Sequence, residues 1–295
     1  MTKHAIGIDL GCTNIKAVLM GDAGAIIREW RGDTHEQDDR AWKNTIREVI
    51  LNFQQDCPEV TAIGLSAPGL ANAENTCISF MPGRLPGLEN FNWSNHLGQR
   101  VFVLNDAHAA LMAEASFGSA RNFRHAILLT LGTGVGGGIL IDGRLYQGMD
   151  QMAGHLGHIT VQAGTHLADV TGMPGSIEDA IGNLTIKGRS LGRFENTSEL
   201  VAAHHRGDAF ATWLWLDSIR KLAIAVASLI NVLSPEVVII GGGISKAEES
   251  LLQPLRAFLE LYEWQPGGKK TPLLLAHFSD NAGALGAAAF ALSQT

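Results

Sequence analysis

Two distant stretches of this chain share one plan, and that plan limits the folds open to it. Residues 4–30, HAIGIDLGCTNIKAVLMGDAGAIIREW, read as an apolar strand, a Gly/Thr/Asn turn, a second strand, a GDAG turn and a third strand. Residues 125–148, HAILLTLGTGVGGGILIDGRLYQG, repeat the sequence of strand, glycine turn, strand, an Asp142-Gly143 turn and a short strand. A ribbon this apolar cannot stand alone in water and needs layers over both faces. The covering elements lie between and after the ribbons. RAWKNTIREVILNFQQD (40–56), DAHAALMAEASFG (106–118) and LWLDSIRKLAIAVASLINVLS (214–234) carry apolar residues at helical spacing. A third signal, PEVVIIGGGISKAEE (235–249), reads as a buried strand, a triple glycine and a helix opening at Ser245. The fold class is therefore α/β, with two related halves built on the same hairpin unit.

At 295 residues, two domains fit better than one. The boundary is placed near residue 115. This gives a smaller N-terminal α/β domain, 1–115, and a larger one, 116–281, with the C-terminal helix at about 282–295 returning to the first. A net charge of −7 argues against a nucleic-acid surface, which needs clustered Lys and Arg. The three cysteines, Cys12, Cys57 and Cys77, form no paired framework, so a reducing, cytoplasmic setting is expected. LAIAVASLINVL, from residue 222, is too short to span a bilayer, and MTKHAIGIDLG is no secretory signal.

GTGVGG, 132–137, satisfies G-x-G-x-x-G, but a hairpin follows it instead of a helix, so the dinucleotide-binding reading fails. No Walker A pattern occurs. The turn can still present backbone N–H groups and the Thr133 hydroxyl to an anion, with Gly134 at its bend. DLGCTNIK, 9–16, is the same device with Asp9 and Lys16 added. Facing each other, two such turns would clamp a polyphosphate, and Asp9 would hold its Mg²⁺ directly or through water. The plainer alternative is a pair of tight hairpins that merely need glycine.

Seven motifs occur in one order: D-x-G-x-T-x-x-K (Asp9, Gly11, Thr13, Lys16), SAPG (66–69), LPGLENFNW (85–93), LNDAHAALMAEASFG (104–118), TLGTGVGGGI (130–139), GxxGHITV (154–161) and SPEVVIIGGGIS (234–245). In this arrangement the chain resembles the ROK family of bacterial sugar kinases and related repressors, within the actin-like ATPase superfamily. The resemblance implies two actin-like (RNase H-like) domains, a sugar in the cleft between them, and ATP with Mg²⁺ against the larger domain. It implies Asp106 as catalytic base, a role that suits a carboxylate just after the buried strand VFVLN. Asn105 would hold another sugar hydroxyl, Gly69 would let backbone approach the ring, and Gly241, Gly242 and Gly243 match the part of the family that packs on adenosine. An Asn-Asp pair before a helix is also an N-cap pattern.

The family usually reads GExGH where this chain has GHLGH, 154–158. There the Glu and the His bind sugar, and the His ligates a structural zinc with the cysteines of C-x-C-G-x-x-G-C-x-E. Here that stretch is DVTGMPGSIE, 169–178. Gly172, Gly175 and Glu178 are kept, but Asp169, Thr171 and Ser176 stand in the cysteine positions. Those groups are poor zinc ligands, so no structural zinc is expected and the loop should be held by hydrogen bonds, packing and Pro174. His158 is expected to donate to the sugar, and Glu178 keeps the last carboxylate of the sugar shell. His155 replaces an acceptor-only glutamate with a ring that offers one donor and one acceptor. A metal role for the two histidines is disfavoured, because the following ITV reads as a strand and His166 falls on a loop. Cys12, where the family has Gly, reads as a packing residue.

The resemblance thus implies a kinase for O6 of an aldohexose such as glucose. The alternatives are an N-acetylmannosamine or other N-acetylhexosamine kinase (some relatives also show GHxGH), or a catalytically silent sugar-binding regulator. Because the first strand starts by residue 4, the DNA-binding domain of the family's repressors is not expected. The expected partners are a small sugar and, as is common in the family, a second copy of the chain, with neither nucleic acid nor membrane.

Overall fold

The structure, a computed structural model, describes residues 3–21, 23–164, 169 and 171–295. The first ribbon is β1 (His4–Leu10), β2 (Asn14–Gly21) and β3 (Ile26–Asp33). After it come α1 (Asp39–Asp56), β4 (Val60–Ala67), β5 (Leu70–Ala71) and β6 (Ile78–Phe80). Next are α2 (Trp93–Leu97), β7 (Phe102–Asn105) and α3 (Asp106–Phe117). The second ribbon is β8 (Ala126–Leu131), β9 (Val135–Ile141) and β10 (Arg144–Leu145). Helices α4 (Ile177–Ile181), α5 (Ile186–Arg189), α6 (Thr197–His205) and α7 (Ala209–Leu233) follow. The chain ends with β11 (Val237–Gly241), α8 (Glu249–Tyr262), β12 (Leu273–Leu275) and α9 (Ala282–Ser293).

The two five-stranded sheets have matching orders, β3-β2-β1-β4-β7 and β10-β9-β8-β11-β12. In each, a glycine-turned antiparallel hairpin (β1–β2, β8–β9) is extended by parallel strands (β4 and β7; β11 and β12). The central strands are buried almost along their length, as expected of strands covered on both faces. In α1 the buried Trp42, Ile46, Val49, Ile50 and Phe53 fall on one stripe, and the Asp38 carboxylate caps the start by accepting the Arg40 and Ala41 N–H groups. The 25-residue α7 lies in the core of its unit, where Trp215 donates its indole N–H to the Ser250 carbonyl at 3.0 Å. No helix among the described residues is long and apolar enough to cross a membrane.

The chain forms two compact units. The first comprises the chain through Asn122 with Leu145–Ala153 and His277–Thr295; the second comprises Phe123–Arg144 and Gly154–Ala276. This differs from a division at residues 115 and 282, which assigns 116–122, 145–153 and 277–281 to the larger domain. Leu145 and Phe278 pack on an apolar cluster of the first unit, and the His108 ring bonds the Ala153 carbonyl at 3.0 Å. Two further expectations change. The helix after the triple glycine does not open at Ser245: Gly243–Ala247 is a 3₁₀ turn, ended by Glu248 at φ 47°, and α8 starts at Glu249. ITV, 159–161, is not a strand; only Thr160 pairs, in an isolated bridge to Ser176.

Helix α9, AGALGAAAFALS, is apolar all round because it is covered on every side. Its backbone lies so close to the sheet that a Cβ on Gly7 of β1 would strike the Ala284 carbonyl, and one on Gly64 of β4 the Ala287 carbonyl. On its other side, a Cβ on Gly286 would strike the Ala109 carbonyl of α3. Four backbone segments meet here with no room for a methyl group. Gly286→Ala should lower stability by about 1–3 kcal/mol, the usual cost of overpacking. Urea unfolding would show it as a lower midpoint, and an unchanged midpoint would mean that α3 and α9 can move apart freely.

Candidate functional site

In the first unit, β1, β2 and β4 bring Asp9, Lys16 and Ser66 into register. Ser66 donates its hydroxyl to Asp9 Oδ1 at 2.7 Å. Burial pushes the Asp9 carboxyl above its ordinary range, with Ser66 and the Lys16 charge opposing. Gly283 of α9 faces this carboxylate with no space for a side chain. Lys16 donates to the Asp280 carbonyl at 2.7 Å. The Gly11 N–H bonds Asn14 across the turn at 3.0 Å, and the Gly11 carbonyl accepts the Thr34 hydroxyl at 2.6 Å. Thr13 is exposed at the tip. Cys12 packs half-buried against the apolar cluster beneath α1, and burial raises its thiol pKa.

Asp106 is the first residue of α3. Asp106 is an exposed residue, yet neighbouring protein crowds its carboxyl. That burial, and then the charge of Asp9, push its carboxyl up to about 6. Asn105 is the N-cap of α3: its Oδ1 accepts from Ala107 N at 2.9 Å and His108 N at 3.3 Å, and its Nδ2 donates to the Gly69 carbonyl at 2.9 Å. The Asn105 amide therefore fastens the SAPG loop to the helix that carries Asp106. Gly69 has φ 100°, and a Cβ there would meet the Phe80 carbonyl, so only glycine fits this bend. Sequence reasoning missed a link beside Cys12, an Arg84–Glu36 ion pair in which Glu36 also accepts the Leu85 N–H at 3.2 Å. Neither residue belongs to a recognisable pattern.

In the second unit, the Gly132 N–H closes the turn on the Gly134 carbonyl at 2.9 Å. Buried Glu178 accepts the Val135 N–H on Oε2 at 2.9 Å, and a Cβ on Gly134 would collide with it. Its Oε1 is buried with no hydrogen-bond partner among the described residues. Asn183 N and Leu184 N bond the carbonyls of Gly132 and Thr133 at 2.9 and 3.0 Å. Gly241 ends β11 in the core, whereas Gly242 takes φ 84° against the Leu131 backbone, leaving no room for a side chain. A cavity of about 640 Å³ opens here, lined by Thr133, Gly243, Asn183, Asn196, His205 and Lys246 among others. The last four escaped sequence reasoning. N-T-S-E at 196–199 signals only a helix start, and Asn196 does cap α6 through Glu199 N at 2.9 Å.

His155 precedes a 3₁₀ turn, Leu156–His158. Burial, then the His158 charge, lower its imidazole pKa, which favours the neutral ring. His158 Nδ1 lies 3.1 Å from Asp169 Oδ2. Asp169 Oδ1 accepts from Thr171 Oγ1 at 2.6 Å, Thr171 N at 2.8 Å and Met173 N at 3.1 Å. Burial would raise this carboxyl, but the hydrogen bonds from Thr171, His158 and Met173 outweigh it and hold it at about 2. Ser176 caps α4 through Asp179 N at 3.1 Å. Both Asp169 oxygens and the Ser176 hydroxyl are thus engaged within the loop. These residues do not fit a zinc ion, and no group of three or more His, Cys, Asp or Glu among the described residues could hold a metal. His166 lies outside the described residues.

The ROK family model matches residues 5–294. The chain belongs to the ROK family. A glucokinase of Thermotoga maritima is 32% identical to this ROK chain, over 96% of it and 95% of the relative. An N-acetylgalactosamine kinase of a Shewanella species is 30% identical, over 96% and 94%. A ROK glucokinase from Streptomyces griseus, solved with glucose and AMPPNP, superposes with a TM-score of 0.81 at 25% identity, over 98% and 99%. The ROK chain therefore has the actin-like ATPase fold, carried by the two sheets of matching order.

Within this ROK chain the Glu178–Val135 bond ties α4 to the turn after β8. Glu178→Ala should speed hydrogen exchange at the Val135 amide about fivefold or more, the usual worth of one hydrogen bond. Undiminished protection would show that the turn is held without it.

Proposed function

We propose that this ROK protein is an ATP-dependent carbohydrate kinase that transfers the γ-phosphoryl group to a hydroxyl, O6 of an aldohexose such as glucose. The carrying observation is Asp106, an exposed residue at the start of α3 whose carboxyl is raised to about 6 by burial and the Asp9 charge. A general base works best when its pKa lies near the working pH, which an ordinary aspartate does not.

Asp106 accepts the hydroxyl proton as the sugar oxygen bonds to the γ-phosphorus and the bridging oxygen departs with ADP. Asp9 supplies hard oxygen donors that suit Mg²⁺, held directly or through water. When bound, that ion would neutralise phosphate charge. Ser66 holds the Asp9 carboxylate in place for this role. In each unit the turn, around Thr13 in the first and around Thr133 and Gly134 in the second, has the form of an anion cradle, and Lys16 adds positive charge beside the first. The cavity lined by Gly243 is of a size and chemistry to take adenosine, and Gly241 and Gly242 lead the chain from β11 into Gly243. On the sugar side, Glu178 Oε1 is a buried acceptor without a partner among the described residues, and His155 and His158 supply ring nitrogens. Asn105 and Gly69 frame the base.

His155 gives specific support to a second reading, an N-acetylhexosamine kinase. A neutral ring can donate to an acetamido carbonyl, which a glutamate in that position cannot. A silent regulator is less well supported, because Asp9, Gly11, Thr13 and Lys16 retain the phosphate-binding pattern and Asp106 keeps its raised pKa.

Asp106→Asn should lower kcat by about 10²–10⁴, the usual contribution of a general base, while sugar affinity by calorimetry changes little. Turnover like that of the wild type would refute the assignment. The base must be ionised, so kcat/KM should fall about tenfold per pH unit below about 6 and level off above it. A profile flat from pH 5 to 8 would count against Asp106. An ADP-release assay over glucose, mannose, N-acetylglucosamine, N-acetylgalactosamine and N-acetylmannosamine would choose between the two sugar classes.

A further inference from the structure

The loop at 169–178 has replaced a metal cluster with one carboxylate, and the consequence reaches His158. Asp169 Oδ2 faces the ring at Nδ1, 3.1 Å away, while Oδ1 takes the three donors of Thr171 and Met173. The side chain of Asp169 is fully buried, whereas that of His158 is 37% exposed. An ionised carboxylate can only accept, so the proton on the shared line must belong to Nδ1. A neutral ring has one N–H, which leaves Nε2 as a lone pair. We propose that Asp169 is a positioning residue that fixes His158 as the Nδ1–H tautomer, so that the histidine offers the substrate an acceptor, Nε2, and selects a group that donates. This rests on the kinase reading for the identity of the substrate, but not for the state of the ring.

The proposal reverses the expectation that His158 donates to sugar. A ring whose other nitrogen binds a metal keeps its N–H for a second partner. With the metal ligands gone and a carboxylate at Nδ1, the polarity of the outward nitrogen is inverted. The specificity consequence is concrete. The hydroxyl facing Nε2 must give up its hydrogen to the ring, so it is free to accept from elsewhere. A fluorine or carbonyl in its place offers nothing to Nε2.

The state of the ring can be read directly. Long-range ¹⁵N–¹H spectra of the full-length protein, recorded near pH 8.5 where histidines are about 99% neutral, should give His158 the pattern of a protonated Nδ1 and an unprotonated Nε2. A protonated Nε2 would overturn the proposal whatever the protein phosphorylates. Asp169→Ala should abolish that preference and raise the sugar KM about tenfold or more, with kcat changed far less. Asp169→Asn keeps the loop's acceptor oxygen but loses the charge, and should fold with near-normal thermal stability while still losing the tautomer preference. A tautomer unchanged in both variants would show that other contacts set the ring. Deoxyfluoro sugars supply the second arm. At the position facing His158, the fluoro analogue should be as poor a ligand as the deoxy analogue, whereas fluoro analogues that all bind like the parent would mean that the ring donates. Should the ring show the expected tautomer while no sugar binds, the kinase reading fails and the Asp169–His158 pair stands.

Discussion

The close approach of α9 to β1, β4 and α3 is the constraint on which the first unit depends. Glycine and alanine let four backbone elements meet at distances that no larger residue allows. The same helix fixes chemistry at its N-terminal end, where Gly283 faces the Asp9 carboxylate, while its middle seats α3, whose first residue is Asp106. The positions of two charged groups are thus set by van der Waals contact between small residues. Such contact is stiff, because interiors packed to crystal-like density have no slack to take up an extra methyl group.

That stiffness explains why two carboxylates can be held near one another at all. Each raises the cost of ionising the other, and burial adds to it, so Asp106 moves to about 6. In a looser frame the pair would separate or draw in water, and the shift would relax. At Asp9 burial also raises the carboxyl, with the Ser66 hydroxyl and the Lys16 charge opposing the rise. Two identical side chains thus sit in different surroundings, Asp9 bonded by the Ser66 hydroxyl and Asp106 at the first position of α3.

The second unit solves a different problem with the same economy of residues. Loop 169–178 lacks the thiolates that a metal would need, yet Asp169 gathers four hydrogen bonds around one carboxylate. Its low pKa reports that these donors outweigh the penalty of burial. The folding of the loop and the orientation of His158 therefore share one anion. Glu178 does similar work nearby, with one oxygen tied to the turn after β8 and the other buried without a partner among the described residues.

Periodicity and glycine placement in the sequence were enough to determine the α/β class, the doubled hairpin plan, the main helices and the run of family motifs. These are local properties, since a glycine turn or an apolar stripe is written in neighbouring residues. Asp9, Asp106 and Glu178 were legible as candidates because motifs carry them. What only the tertiary structure decided is where each hydrogen bond goes. It gave the Asn105 amide to Gly69 and α3, lined the cavity with Asn183, Asn196, His205 and Lys246, moved 145–153 into the first unit and set Asp169 against His158. The physical reason is that hydrogen-bond partners and pKa shifts arise between residues brought together by packing, and no spacing along the chain encodes which of several nearby donors a buried carboxylate will meet.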